Sequence, residues 1–279
     1  MFALLLVAAF ASTSPNALSV DPAWTVLNAG AAHSSADERA KAMHALFLLK
    51  GNRRAQGMAE EALKDKSADV RAEAATALAH MDARSAIPRL KELVKNEQEV
   101  KVVLSAANAL YLLHDPAAYD VYYAVLTGER KSKESLVQSQ LDILKNRRAL
   151  EKLAFEAGIG FVPYGSMGYE AWKTITHNDS AAVRADAAEK LARDPDRSSG
   201  KALVEACTNS KSIIRAAAAD ALATRSDPAL ASALVPLLTD STSYVRYEAA
   251  AALIHLSSSP RRARHRTAVA PPTHTAVPK

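Results

Sequence analysis

One cysteine, Cys207, occurs in 279 residues, which excludes an internal disulfide framework and leaves too few thiols for a thiolate metal site. It reads as a small core residue. Aromatic side chains make up only 5% and glycine occurs 9 times, both low for a sheet-rich fold, so alanine-rich helix is the better expectation. The 8 histidines form no His-Glu-x-x-His, and no Cys-x-x-Cys is present, so no spacing gathers metal ligands. Ser166 has no histidine close in sequence and Cys207 sits in a helical Ala-Cys-Thr context, so no nucleophile and base stand out. No catalytic residue, metal or cofactor is expected.

Long hydrophobic runs are missing too. The apolar stretch 2–11 falls short of the roughly 20 residues that a bilayer span needs. With Ala9-Phe10-Ala11 before Ser12 it fits a signal peptide over residues 1–11, although the usual basic residue before the run is absent. Export to a periplasm or the exterior is the expectation, with no transmembrane span after cleavage; without cleavage the chain would be cytoplasmic.

The net charge of +5 points to polyanions until its location is considered. Arg261, Arg262, Arg264, Arg266 and Lys279 lie in the last 20 residues without an acid. Setting those five aside leaves 30 basic against 30 acidic residues, so the body is formally neutral and nucleic-acid binding is not expected. Residues 258–279 lack apolar periodicity and read as a basic, proline-containing disordered tail. Its charges give at most a weak, salt-sensitive attraction to anionic surfaces.

What the body does contain is a repeat. Segments ending at Leu46, Leu78, Leu110, Leu141, Leu191, Leu222 and Leu253 superimpose without gaps. Four residues before each leucine stands an alanine (Val137 in the fourth copy), and eight before stands Val70, Val102, Val183, Ile214 or Val245. This i, i+4, i+8 stripe belongs to a helix that buries one face. Seven before the leucine, Arg39, Arg71, Arg184, Arg215 and Arg246 recur, which amphipathicity alone would not require. Asp115-Pro116, Asp194-Pro195 and Asp227-Pro228 each open a second apolar segment, as N-cap and first-turn residues do. A two-helix unit of about 31 residues cannot bury its own core, so the units must stack.

The pattern Asp-x-x-x-x-Val-Arg-x-x-Ala-x-x-Ala-Leu, as in Asp65 to Leu78 and Asp240 to Leu253, resembles the HEAT repeat, over most of residues 35 to 257. The resemblance implies an all-α superhelical solenoid of about seven helix pairs over residues 20–257. It also implies a structural ladder of Asp and Arg side chains between adjacent repeats, placed here on Asp65, Arg71, Arg184, Arg215, Asp240 and Arg246. The copy ending at Leu141 lacks the Val-Arg pair and carries Gln138 and Gln140 at positions that are small and apolar elsewhere. Some HEAT-fold enzymes hydroxylate a modified lysine with iron held by His-Glu pairs, and no His-Glu dipeptide occurs in this chain. Others attach bilin chromophores, which the repeats alone do not exclude.

The interval from Leu141 to Leu191 is a repeat plus about 19 residues. Within 155–172 lie Gly158, Gly160, Gly165 and Gly168, and five of the chain's 15 aromatics. Glycines and Pro163 break helix, and the aromatics offer large apolar area with polar tips. Phe161, Tyr164, Tyr169 and Trp172 in this irregular insertion (155–175) are candidates for partner binding, or for plugging the gap between two halves of the solenoid. Tyr111, Tyr119, Tyr122 and Tyr123 read as core packing. The leading expectation is a non-catalytic, monomeric scaffold that binds a protein or peptide in the groove lined by the second helices. One alternative is a lyase or other enzyme with a small-molecule site near the 155–172 loop; another is a polyanion or membrane-surface adaptor acting through the tail.

Overall fold

A computed structural model describes residues 18–146, 148, 150 and 180–258. The apolar run 2–11, the tail, and Phe161, Tyr164, Tyr169 and Trp172 lie outside the described residues. Within these the chain is all-α, without a strand. The helices are α1 (Asp21–Ala31), α2 (Ala36–Ala45), α3 (Arg53–Ala62), α4 (Ala68–His80), α5 (Ile87–Asn96), α6 (Val100–Leu112), α7 (Ala118–Thr127), α8 (Leu141–Leu144), α9 (Ser180–Leu191), α10 (Arg197–Ala206), α11 (Ser212–Arg225) and α12 (Ser243–Ser258). Short 3₁₀ turns follow α2 (Leu46–Leu48) and precede α5 (Arg84–Ala86), and two more, Pro228–Leu234 and Pro236–Thr239, stand between α11 and α12.

The apolar stripe forms the core. Val70, Ala74 and Leu78 of α4, Val102, Ala106 and Leu110 of α6, Ile214, Ala218 and Leu222 of α11, and Val245, Ala249 and Leu253 of α12 are all buried. Alanine at the middle position lets neighbouring helices approach closely, and leucine fills what remains. The Asp-Pro signals open their segments with local adjustments. Asp115 accepts from Ala117 N at 2.9 Å just before α7, and Asp227 from Ala229 N at 3.1 Å at the head of a 3₁₀ segment. At Asp194-Pro195-Asp196 the helix begins later, because Asp196 caps α10 through Ser198 N at 2.7 Å while Asp194 receives Ser199 Oγ.

The copy ending at Leu141 is the exception: residues 131–140 run through turns, with regular helix only in α8. Its glutamine explains part of this. The buried Gln140 donates its amide to the Lys95 carbonyl, and Ser139 Oγ donates to the same carbonyl at 2.7 Å. The segment thus satisfies the exposed end of α5 and does not extend the stripe.

The stacking order in space differs from the order in the chain. The stripe-bearing helices α2, α4 and α6 pack successively, as do α9, α11 and α12, and α12 then packs on both α1 and α2. The inner row therefore reads α9, α11, α12, α2, α4, α6. α12 packs on the 3₁₀ segments that precede it and also on α1, which packs in turn on α2, so α1 and α2 stack against α12 as a next repeat unit would. Antiparallel packing brings the start of α12 to the end of α1. A Cβ on Gly30 would lie 2.5 Å from the Tyr247 ring and 2.8 Å from the Ala42 Cβ, so only glycine fits where α1, α2 and α12 converge. At the far ends of the row the faces are open: Val183 of α9 is 71% exposed and Leu126 of α7 is 86% exposed.

Candidate functional site

The recurrent arginine makes the same contact set in successive repeats. Arg39 forks onto Asp65 with Nε and Nη2 at 2.7 and 2.8 Å, while Nη1 donates to the His33 and Ser34 carbonyls. Arg71 repeats this on Glu97 at 2.7 and 3.0 Å and on the Asp65 carbonyl. Arg215 repeats it on Asp240 at 2.6 and 2.7 Å and on the Asn209 carbonyl. Each fork is bidentate and charge-assisted, so it fixes both distance and rotation between neighbouring units. The Arg39 guanidinium is the chief reason the Asp65 carboxyl stays below its ordinary range. At Glu97 and Asp240 burial pulls upward, and the Arg71 and Arg215 hydrogen bonds and charges, together with backbone N–H donors from Gln98 and Glu99 and from Thr242, outweigh it, so both stay low as well.

At the α12 joint the pattern changes. Arg246 Nη1 takes the Asp240 and Ser241 carbonyls, but in the repeat stacked next to it His33 stands where Asp65 and Glu97 stand elsewhere. Glu38 of α2 carries that contact instead, accepting from Ser243 Oγ at 2.8 Å and from the buried Tyr247 hydroxyl at 2.9 Å. Burial and the Glu38 carboxylate push the Tyr247 hydroxyl up to about 12. Arg184 is exposed on α9, and the next repeat offers Asn209 at the acid position.

On the inner side of the same joint lies a cluster of ionisable groups. His44 Nδ1 of α2 is 3.0 Å from Glu73 Oε2 of α4. The His44 ring stands 5.5 Å from Phe47 and 6.3 Å from Tyr244 of α12, and Phe47 is 6.0 Å from His80. Glu248 of α12 is 0% exposed, with Asp220 of α11 and Tyr244 beside it and Glu73 within reach of its charge. Burial, then the neighbouring Asp220 carboxylate, drives its carboxyl well above the ordinary range, with Tyr244 opposing part of the rise. Glu248 and Asp220 thus form a close acid pair in which burial favours a neutral Glu248.

A third feature is aromatic. Tyr111 of α6 and Tyr119, Tyr122 and Tyr123 of α7 are not core residues: Tyr111 is 49% and Tyr119 52% exposed, and the other two are also exposed. Tyr111 meets Tyr119 and Tyr122 edge to face at 6.2 and 6.3 Å, and Lys131 Nζ lies 5.7 Å over Tyr119. The expectation of core packing fails because these rings lie on faces of α6 and α7 that the described residues leave exposed, and the short α8 that follows packs on α7 without covering them.

Nothing else gathers chemistry as tightly. Among the described residues, no group of three His, Cys, Asp or Glu side chains could hold a metal ion, and no helix is long and apolar enough to cross a membrane. Burial pushes the Cys207 thiol up to about 11, so it is no thiolate nucleophile. Ser226 Oγ lies 3.4 Å from His255 Nε2, but the hydroxyl also approaches the Ala223 carbonyl at 3.1 Å, as the left-handed residue ending α11 would. An open groove beside it is lined by Arg193, Arg197, Lys201, Asp227 and Leu230. Arg225 closes one wall and is committed to the Asp194 and Asp196 carbonyls.

A family model described as HEAT repeats matches residues 25–111, 55–132 and 170–254. The chain belongs to the HEAT-repeat family. Solved structures similar to it include human deoxyhypusine hydroxylase in complex with glycerol, 20% identical over 85% of this chain and 96% of that one, with a TM-score of 0.33. Two engineered proteins match at 23% and 22% identity, covering 85% and 86% of this chain and 98% of each of theirs, with TM-scores of 0.26 and 0.29. At such scores the likeness says nothing of activity. No curated protein matches the chain.

Within this HEAT chain, ladder residues Asp65, Arg71, Arg215 and Asp240 stand in the rungs described above. Glu97 was not singled out by a pattern written with Asp, although it lies thirteen residues before Leu110, as Asp65 lies before Leu78. The inner cluster also left a trace: Glu73 and Glu248 each stand five residues before the repeat leucine. Acids at one position of two distant repeats hint at a shared face, and only stacking α12 on α2 makes those faces meet.

Proposed function

We propose that this HEAT-repeat chain is a non-catalytic interaction scaffold that binds a protein or peptide partner along its helical stack. The observation that supports this best is the exposed group of Tyr111, Tyr119, Tyr122, Tyr123 and Leu126. Tyrosines present large apolar area with hydrogen-bonding tips at low conformational cost, which is the composition of interface hot spots. An edge-to-face cluster is also already ordered before a partner arrives, so less entropy is lost on docking. The expected partner carries apolar side chains that cover these rings and extends toward the inner groove. We place the protein outside the cytoplasm on the strength of the apolar run at residues 2–11.

The test is affinity capture from native extract with three forms of the chain matched for helicity by circular dichroism. One is intact, one carries Tyr111→Ala, Tyr119→Ala, Tyr122→Ala and Tyr123→Ala, and one carries Phe161→Ala, Tyr164→Ala, Tyr169→Ala and Trp172→Ala. A partner lost only with the first set maps to α6 and α7, and one lost only with the second maps to the 155–172 loop. A partner kept by both belongs to the groove. A chain that captures nothing specific, even after crosslinking, is not a scaffold.

A further inference from the structure

The joint at which α12 meets α1 and α2 differs from every other joint in the inner row in one respect: the two sides are not consecutive in the chain. Between α2 and α4, or α11 and α12, the polypeptide itself limits separation, whereas α12 is held to α1 and α2 by packing and hydrogen bonds alone. At this joint the protein has placed a wholly buried carboxyl group, Glu248. We propose that the α12 to α1–α2 joint is a proton-dependent clasp, closed while Glu248 keeps its proton and opening as that proton is lost.

The surroundings of Glu248 define the direction. From α11 it faces Asp220, from its own helix Tyr244, and from α4 across the joint Glu73. From α2 the nearby ionisable group is His44, paired with Glu73 and in ring contact with Tyr244. Glu38 and Lys41 sit further along α2, where Glu38 binds Ser243 and Tyr247. His80 stands behind Phe47, α1 contributes only Asp21 at its far end, and the 3₁₀ segments Pro228–Leu234 and Pro236–Thr239 carry no ionisable side chain. None of the largest influences on Glu248 is a lysine or arginine. Deprotonation therefore sets a third carboxylate among Asp220 and Glu73 in a water-poor space, and the Tyr244 hydrogen bond that favours the charged form does not outweigh burial and the Asp220 carboxylate. Relief comes from hydrating Glu248, and the joint without a covalent tether is the one that yields.

A carboxyl whose folded value lies above its unfolded one stabilises the closed state fully below the unfolded value of 4.5. That contribution is lost as pH rises toward the folded value. One proton is involved, so the opening constant rises by at most about tenfold per pH unit.

Hydrogen–deuterium exchange of the full chain between pH 5 and 9, corrected for the intrinsic rate at each pH, reads the clasp directly. Protection in α12, α1 and α2 is expected to fall with rising pH while α4 to α6 keep theirs, and Glu248→Gln is expected to abolish the fall. An unchanged fall in Glu248→Gln, or no fall in the parent chain, overturns the proposal. Should Glu248→Gln fail to fold, Asp220→Asn decides. It should shrink the total loss of protection and bring its plateau to lower pH, and an unaltered profile would again overturn the clasp.

Discussion

The α4 to α6 joint and the α12 to α2 joint stack the same kind of helix with different fastenings. The first is consecutive in the chain and locked by a bidentate rung, Arg71 to Glu97. The second joins distant parts of the sequence, has His33 at the acid position, and is held by a glycine-permitted close approach and hydrogen bonds to Glu38. A HEAT stack can thus be extended across the ends of its own repeat body, provided some other polar device replaces the ladder. The replacement is a pair of hydroxyl donors on one carboxylate in place of a bidentate ion pair, and on the clasp proposal this joint is the adjustable one.

Arg71→Ala should have the largest effect. It strands the Glu97 carboxylate in a buried site, and breaking one partner of such a pair costs about 3–5 kcal/mol. Urea unfolding at pH 7 should show that loss, and a cost under about 1 kcal/mol would mean the rung is decorative. Gly30→Val sharpens the comparison from the other side. Its side chain would collide with the Tyr247 ring and Ala42, an overpacking penalty of about 2–3 kcal/mol. Because the damage sits on the untethered joint, the unfolding curve should also separate into two transitions, one for each side. A single shifted transition would show that the joint does not couple the two. Arg246→Ala, which loses two carbonyl contacts but strands no acid, should cost only about 1 kcal/mol.

These joints also mark where sequence reasoning reached its limit. The Val, Ala and Leu stripe and the arginine seven residues before each leucine state that a helix packs on like neighbours, and that much was legible. They do not state which neighbour, because every copy presents nearly the same face, so α12 and α2 look as compatible as α2 and α4. The copy ending at Leu141 could be doubted from its glutamines, but not the task Gln140 performs on the Lys95 carbonyl. The tyrosines of α6 and α7 were misread because helical spacing reports a face without saying whether a further repeat covers it. Of the candidate site, the arginine ladder was visible in part, whereas the Asp220, Glu248, Glu73 and His44 group depends on four helices brought together by a joint the local pattern does not encode.

The smallest effect tests the acid side of the same joint. Burial raises the Glu38 carboxyl, but hydrogen bonds from Ser243, Tyr247 and Lys41, with the Lys41 charge, together outweigh it and hold it below its ordinary value. A carboxyl depressed on folding contributes stability above its unfolded value of 4.5, and that contribution is lost as pH falls through the folded value. Glu248 acts with the opposite sign, so the joint should be most stable between the two titrations and loosen on either side. Tyr247→Phe removes one donor to Glu38 and should cost about 1 kcal/mol at pH 7. The difference from the parent chain should shrink as pH falls below 4.5, since a protonated Glu38 no longer rewards that donor. Thermal unfolding of both forms at pH 7 and pH 3.5 measures the difference. If it is the same at both, Glu38 holds Tyr247 by packing and the acid limb belongs to the ladder carboxylates Asp65, Glu97 and Asp240.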